Sequence, residues 1–145
     1  MAEVRQVLEL HWTWANFDVG YTQGSAESAP GNALVYQSNG GMVYVAMQYR
    51  LGAYGFLGGP DVAENGDSNV GLLDQRAALL WVQRHIRKFG GDPSKVTIIG
   101  GSAGGGSVMN QMILYGGVPN PPFRGVISGI PENPTYPKAI GLTRP

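Results

Sequence analysis

Apolar runs interrupted by glycine, proline and small polar residues set the plan of this chain. Val4–Leu10 is weakly patterned and predicts a strand, whereas residues 16–41 are rich in Gly, Ser, Asn and Pro and read as a long loop. Met42–Tyr49, MVYVAMQY, is β-branched and aromatic with almost no polar interruption, the pattern of a central strand covered on both faces. After a turn-rich stretch over 51–66, Asp67, Ser68 and Asn69 offer N-cap side chains for a helix from about Gly71 to Phe89. Helical spacing puts Leu73, Ala77, Leu80 and Trp81 on one face and suits Gln75, Arg76, Gln83 and Arg87 to the other. Arg84, His85, Arg87 and Lys88 complement the dipole at its end, and Gly90 and Gly91 supply a left-handed cap, which places His85 at the surface. Asp92-Pro93-Ser94 makes a turn, Val96–Ile99 a strand, Ala103–Tyr115 a helix and Gly125–Ser128 a last strand. Strand, helix, strand, helix, strand predicts an α/β fold with a mainly parallel sheet and right-handed crossovers.

Composition narrows the function classes. With 145 residues, 43% of them hydrophobic and 14% charged, the chain has the length and make-up of one globular domain. Ten basic and ten acidic residues balance, so neither nucleic acid nor an anionic membrane surface is implied. The absence of cysteine removes thiol redox chemistry and thiolate metal sites, and the two histidines, His11 and His85, are too few for a histidine metal cluster. The opening stretch MAEVRQVLELHWTW carries Glu3, Arg5 and Glu9 and reads as neither a signal peptide nor a membrane span. The 23 glycines and 10 prolines lie between apolar runs and form no repeat, although from Pro119 onward proline punctuates the chain.

The candidate chemistry lies in VTIIGGSAGGGSV, Val96–Val108. Gly100-Gly101-Ser102-Ala103-Gly104 fits G-x-S-x-G, which is either a structural glycine turn or a nucleophile elbow. In the elbow, Gly100 and Gly104 lack the Cβ atoms that would clash, and Ser102 holds its hydroxyl out of the sheet at a strand's carboxyl end, where open α/β sheets place their ligands. The Ala103 N–H, at the helix start, then faces the oxyanion of a tetrahedral intermediate, while the small residues Gly105, Gly106 and Ser107 let the helix pack close to the strand. A Walker A loop would need a lysine after its glycines, and a dinucleotide loop needs G-x-G-x-x-G with an acidic residue about twenty positions on. No Asp or Glu occurs between Asp92 and Glu132.

The run NVGLLDQRAALLWVQRHIRKFGGDPSKVTIIGGSAGGGSV, 69–108, resembles the type B carboxylesterase/lipase family, the α/β-hydrolases that include the cholinesterases, and YRLGAYGFL, 49–57, matches the block before it. The resemblance extends from about Gly20, with GYTQGS, to Phe123, with PPFR. It implies a partial α/β-hydrolase fold over 1–145, with a divergent segment 1–19, a family-like region 20–123 and a truncated end 124–145. It also implies carboxylic ester hydrolysis through an acyl-enzyme, on a small-molecule or lipid ester, without metal or organic cofactor. The family's roles carry onto Ser102 as nucleophile, onto Ala103, Gly20 and Val19 as the oxyanion hole, and onto Gly100, Gly101 and Gly104 as the elbow. Arg50, Asp74, Gln75 and Trp81, in the matching blocks, are expected as a buried polar network and core aromatic that hold the loop after Arg50 against the helix. Tyr21, Tyr54 and Phe56 are candidates for a gorge lining or for packing.

Three departures qualify that picture. Gly101 stands where the family often carries an acidic residue. Asn16-Phe17-Asp18-Val19-Gly20 replaces a His- or Tyr-Gly-Gly-Gly turn whose amides would complete the oxyanion hole. After Ser102 the sequence has one acidic residue, Glu132, and no histidine, whereas these hydrolases place the acid and then the histidine of the triad downstream. Two alternatives therefore stand beside the hydrolase: a catalytically inactive truncated fragment, and a cholinesterase-like interaction module. Family members are often secreted, but compartment and oligomeric state stay open.

Overall fold

The structure, a computed structural model, describes residues 5–12, 20–26 and 31–129, with the backbone alone for 5–12. Its four strands, β1 (Arg5–Trp12), β2 (Met42–Val45), β3 (Gly91–Gly101) and β4 (Gly125–Gly129), form one sheet in the order β2-β1-β3-β4. All three pairings are parallel: Val7 lies opposite both Val43 and Val96, and Ile98 opposite Val126. The expected parallel α/β arrangement is therefore present.

β2 differs from its expected place. It is four residues long and, among the described residues, lies at an edge of the sheet and pairs with β1 alone. Its apolar run is unbroken because both faces are partly covered. Val43 and Val45 pack on the main core, while Tyr44 lies so close to Gly31, before α1 (Asn32–Gln37), that a Cβ there would overlap its ring. α1 also interrupts the long loop expected over 16–41, and α2 (Gly52–Phe56) and α3 (Pro60–Asn65) occupy the turn-rich 51–66. Helices of five or six residues complete too few turns to show a period, and only Pro60 at the first helical position and Asp61 in the first turn mark α3.

The helix α4 (Val70–His85) continues as a 3-10 turn, Ile86–Phe89, and is closed by Gly90 at φ 81. At its start Asn69 is left-handed (φ 56, ψ 41) and its side chain makes no capping hydrogen bond. Its carbonyl instead accepts from Leu72 N–H at 2.9 Å. The expected apolar face is wrong. The residues turned inward are Gly71, Leu72, Gln75, Arg76, Leu79 and Val82, whereas Leu80 and Trp81 are 46% and 43% exposed. Trp81 is thus not a core aromatic; on the outer surface its ring packs against those of His85 and Phe89, at 5.1 and 6.0 Å. Gln75 and Arg76 are buried because the second long helix, α5 (Ala103–Ile113), supplies their partners.

Leu79, Val82 and Ile86, Val96 and Ile98 of β3, and Val108 of α5 make the core, so both long helices cover the same face of the sheet. Each such side chain contributes on the order of 1.5–3 kcal/mol when removed from water. β3 begins earlier than expected, at Gly91, with Asp92-Pro93-Ser94 inside it at a register shift. Asp92 Oδ1 accepts from the Ser94 N–H (2.9 Å) and hydroxyl (2.7 Å), and these bonds hold its carboxyl below the usual range.

Candidate active site

Ser102 is the single residue between the end of β3 and the start of α5. Its backbone, at φ 54 and ψ −122, lies in a region that L residues rarely adopt. Local ties hold it there. The Ser102 N–H donates to Gly129 O of β4 at 2.8 Å, and its carbonyl accepts from Gly106 N–H, in the first turn of α5, at 3.1 Å. The helix start lies hard against β4: a Cβ on Gly105 would sit 3.0 Å from both Gly129 O and Ser128 Oγ, and the Ser128 hydroxyl donates to Gly105 O at 3.1 Å. Gly100 and Gly101 pair with Ser128 and Gly129, and Gly104 is buried beneath the turn. The glycines around Ser102 thus permit close approach of strand and helix.

A turn from far earlier in the chain reaches this junction. A Cβ on Gly20 would lie 3.4 Å from the Ala103 Cβ, so the two backbones meet beside Ser102. Val19, expected as a further oxyanion donor, lies outside the described residues, as does Glu132. Tyr21, the next residue, is itself left-handed at φ 64. Its carbonyl accepts from Gly52 N–H at 2.7 Å, its ring packs 4.6 Å from that of Phe56, and its hydroxyl accepts from Ser107 Oγ at 3.3 Å. Phe56 also meets Tyr49 edge-on at 6.3 Å, while Tyr54 is 86% exposed and touches none of this. Burial, and next the nearby Tyr21, push the Tyr49 hydroxyl far above its ordinary pKa.

Beneath the turn runs a buried polar network. Gln75 Nε2 donates to Ser107 Oγ at 3.1 Å, and Gln111 Nε2 donates to Gln75 Oε1 (3.2 Å) and Leu72 O (2.8 Å). Arg76 donates to Gln111 O at 2.8 Å, and burial lowers its pKa. The expected partnership of Arg50 and Asp74 is present but lies at the surface. The guanidinium meets both carboxylate oxygens at 2.7 and 2.8 Å, and the Arg50 N–H adds a third bond at 3.0 Å. These bonds hold Asp74 below the usual carboxylate range.

His85 takes no part. It closes α4 at the amino end of β3, and the span of that strand, matched by Arg5–Trp12 of β1, puts it on the order of 20 Å from Ser102. Among the described residues no cluster of His, Asp or Glu could hold a metal ion, and no helix is long and apolar enough to cross a membrane.

A family model described as Carboxylesterase family matches residues 17–128. The chain belongs to the carboxylesterase family. Carboxylesterase patB of Aspergillus clavatus is 48% identical over 119 residues, covering 79% of this chain and 21% of that protein. Lipase 1 of Geotrichum candidum is 50% identical over 97 residues, 65% of this chain and 17% of that lipase. Among solved structures, the α/β-hydrolase EstA of Aspergillus niger superposes with a TM-score of 0.76 at 40% identity, over 86% of this chain and 23% of EstA. This carboxylesterase-family chain therefore has a partial α/β-hydrolase fold, and it spans about a fifth of the length of the curated relatives it matches. Sequence patterning missed the roles of Ser107 and Gln111. Their signal is faint: polar residues at 75, 107 and 111 lie at helical spacing from the buried positions 72, 79, 104 and 108.

Proposed function

We propose that this chain carries the nucleophile and oxyanion part of a carboxylic ester hydrolase centre. Ser102 attacks the carbonyl of a small-molecule or lipid ester and is acylated, the alcohol leaves, and water releases the acid. The amides of Ala103 and Gly20, with Val19 beside them, hold the oxyanion; losing one such donor lowers the rate by about 100- to 1000-fold. The observation that carries this proposal is the Ser102 backbone, held at φ 54 and ψ −122 at the amino end of α5 with Gly20 against Ala103. A backbone so disfavoured persists only where the surroundings over-determine it, and a hydroxyl projected from a sheet edge is a use for it. The carboxylesterase and lipase relatives support the ester class.

A second proposal follows from His85. It lies at the far end of β3 from Ser102, so the described helices bring no histidine to the serine. In that case the elbow serves as architecture in this polypeptide. Treating the purified chain with a fluorophosphonate and mapping the adduct by mass spectrometry separates the two. A stoichiometric adduct on Ser102, absent in Ser102→Ala, is expected for the hydrolase; no adduct in a sample folded by circular dichroism overturns it in favour of the second.

A further inference from the structure

The Gly20 amide can serve an oxyanion only if its turn is held in place, and glycine has no side chain with which to anchor itself. We propose that Tyr21, Ser107 and Gln75 form a positioning relay that fixes the Gly20 turn over the elbow; this rests on the assignment of Ser102 as nucleophile. Ser107 is four residues after Ala103 in α5, so the two share one helix face, and Gly20 packs over the first while the Tyr21 hydroxyl is tied to the second. The amide and its anchor are thereby referred to a single rigid element.

The direction of the amide bonds in the relay is dictated. The Leu72 carbonyl can only accept, so the group that Gln111 places 2.8 Å from it is the amide nitrogen. That nitrogen also lies 3.2 Å from the Gln75 side chain, which must therefore turn its oxygen toward Gln111 and its own nitrogen toward Ser107 Oγ. Having accepted there, the Ser107 hydroxyl has its proton left to give, and Tyr21 OH at 3.3 Å receives it. Gln75, Ser107 and Gln111 are each no more than 1% exposed, so water does not compete for these groups. Gly106 completes the fit, because a Cβ there would lie 3.1 Å from the Tyr21 hydroxyl.

The test uses the purified chain and the variants Tyr21→Phe, Ser107→Ala and their double. Fluorophosphonate inactivation is resolved into a probe dissociation constant and a limiting rate, and amide exchange is followed at Gly52, whose N–H is bonded to Tyr21 O. Each single variant is expected to lower the limiting rate about tenfold, leave the dissociation constant unchanged and speed Gly52 exchange, with the double no worse than either single. Gly106→Ala keeps both hydroxyls and improves helix propensity, so it slows the same step without lowering the melting temperature. Unaltered Gly52 exchange, a limiting rate insensitive to the variants, or a double near one-hundredfold overturns the relay while Ser102 still takes the label. A wild-type chain that takes no label overturns the nucleophile assignment, and the relay with it.

Discussion

The difference between replacing Ser102 by glycine and by alanine measures the strain at the elbow. Both substitutions remove the hydroxyl and both retain the N–H that donates to Gly129 O at 2.8 Å. Their difference therefore isolates the backbone at φ 54 and ψ −122. A non-glycine residue in such a region costs about 1–3 kcal/mol, which glycine does not incur. Against this, glycine loses more chain entropy on folding, by about 0.5–1 kcal/mol relative to alanine. Ser102→Gly is thus expected to be more stable than Ser102→Ala by about 1 kcal/mol, and by at most about 2.5 kcal/mol. At about 2–4 °C per kcal/mol for a chain of this size, a gap of about 1 kcal/mol corresponds to about 2–4 °C in melting temperature. Urea unfolding fitted with a common slope gives the same quantity from the midpoints. Equal midpoints, or a less stable glycine variant, would refute the inference that Ser102 is held against its own preference.

Gly71→Ala would set a methyl 2.6 Å from the Phe56 ring and 2.7 Å from Arg50 O, and a loss of about 1–3 kcal/mol by urea unfolding is expected. Gly58→Ala, with nothing within 4 Å, is the matched control and leaves the midpoint within about 0.5 kcal/mol. Gln111→Leu strips Gln75 Oε1 of its donor inside the α4–α5 contact, and chemical unfolding should register a destabilisation of about 1–3 kcal/mol for that acceptor left dry. Because Arg50 lowers the Asp74 pKa in the folded state, that pair stabilises fully above the unfolded value of about 4 and is lost as pH falls through the depressed one; Asp74→Asn should flatten the acid limb of a stability–pH curve, and an unchanged limb would refute the assignment. In a spectrophotometric titration, the half-buried Tyr49 should stay protonated well above the ordinary tyrosine range for as long as the fold survives.

What could be read before the structure was whatever short stretches settle alone. The apolar run ending in Gly100-Gly101, the lone Ser102 and the small residues of α5 announce a strand, a tight turn and a helix, because dihedral preference and apolar periodicity depend on near neighbours. Gly90 at φ 81 follows in the same way from its lack of a Cβ. α4 shows where that stops: apolar residues at 70, 72, 73 and 77–82 wrap most of its circumference, and its own pattern leaves the buried face open. The choice falls to Ser107 and Gln111, which offer partners to Gln75 and Arg76 and so draw polar residues inward while Leu80 and Trp81 turn out.

The sequence by itself determined the alternation of strand and helix, the place of Ser102 between them and the family to which those residues belong. Tertiary structure alone decided that β2 lies at an edge of the described sheet, that α4 buries its glutamine and arginine, and that Gly20 meets Ala103, 83 positions further along the chain. The division has a physical cause. Backbone conformation is set by forces acting over a few residues, whereas burial and pairing are set by whichever distant groups satisfy one another once water has been excluded.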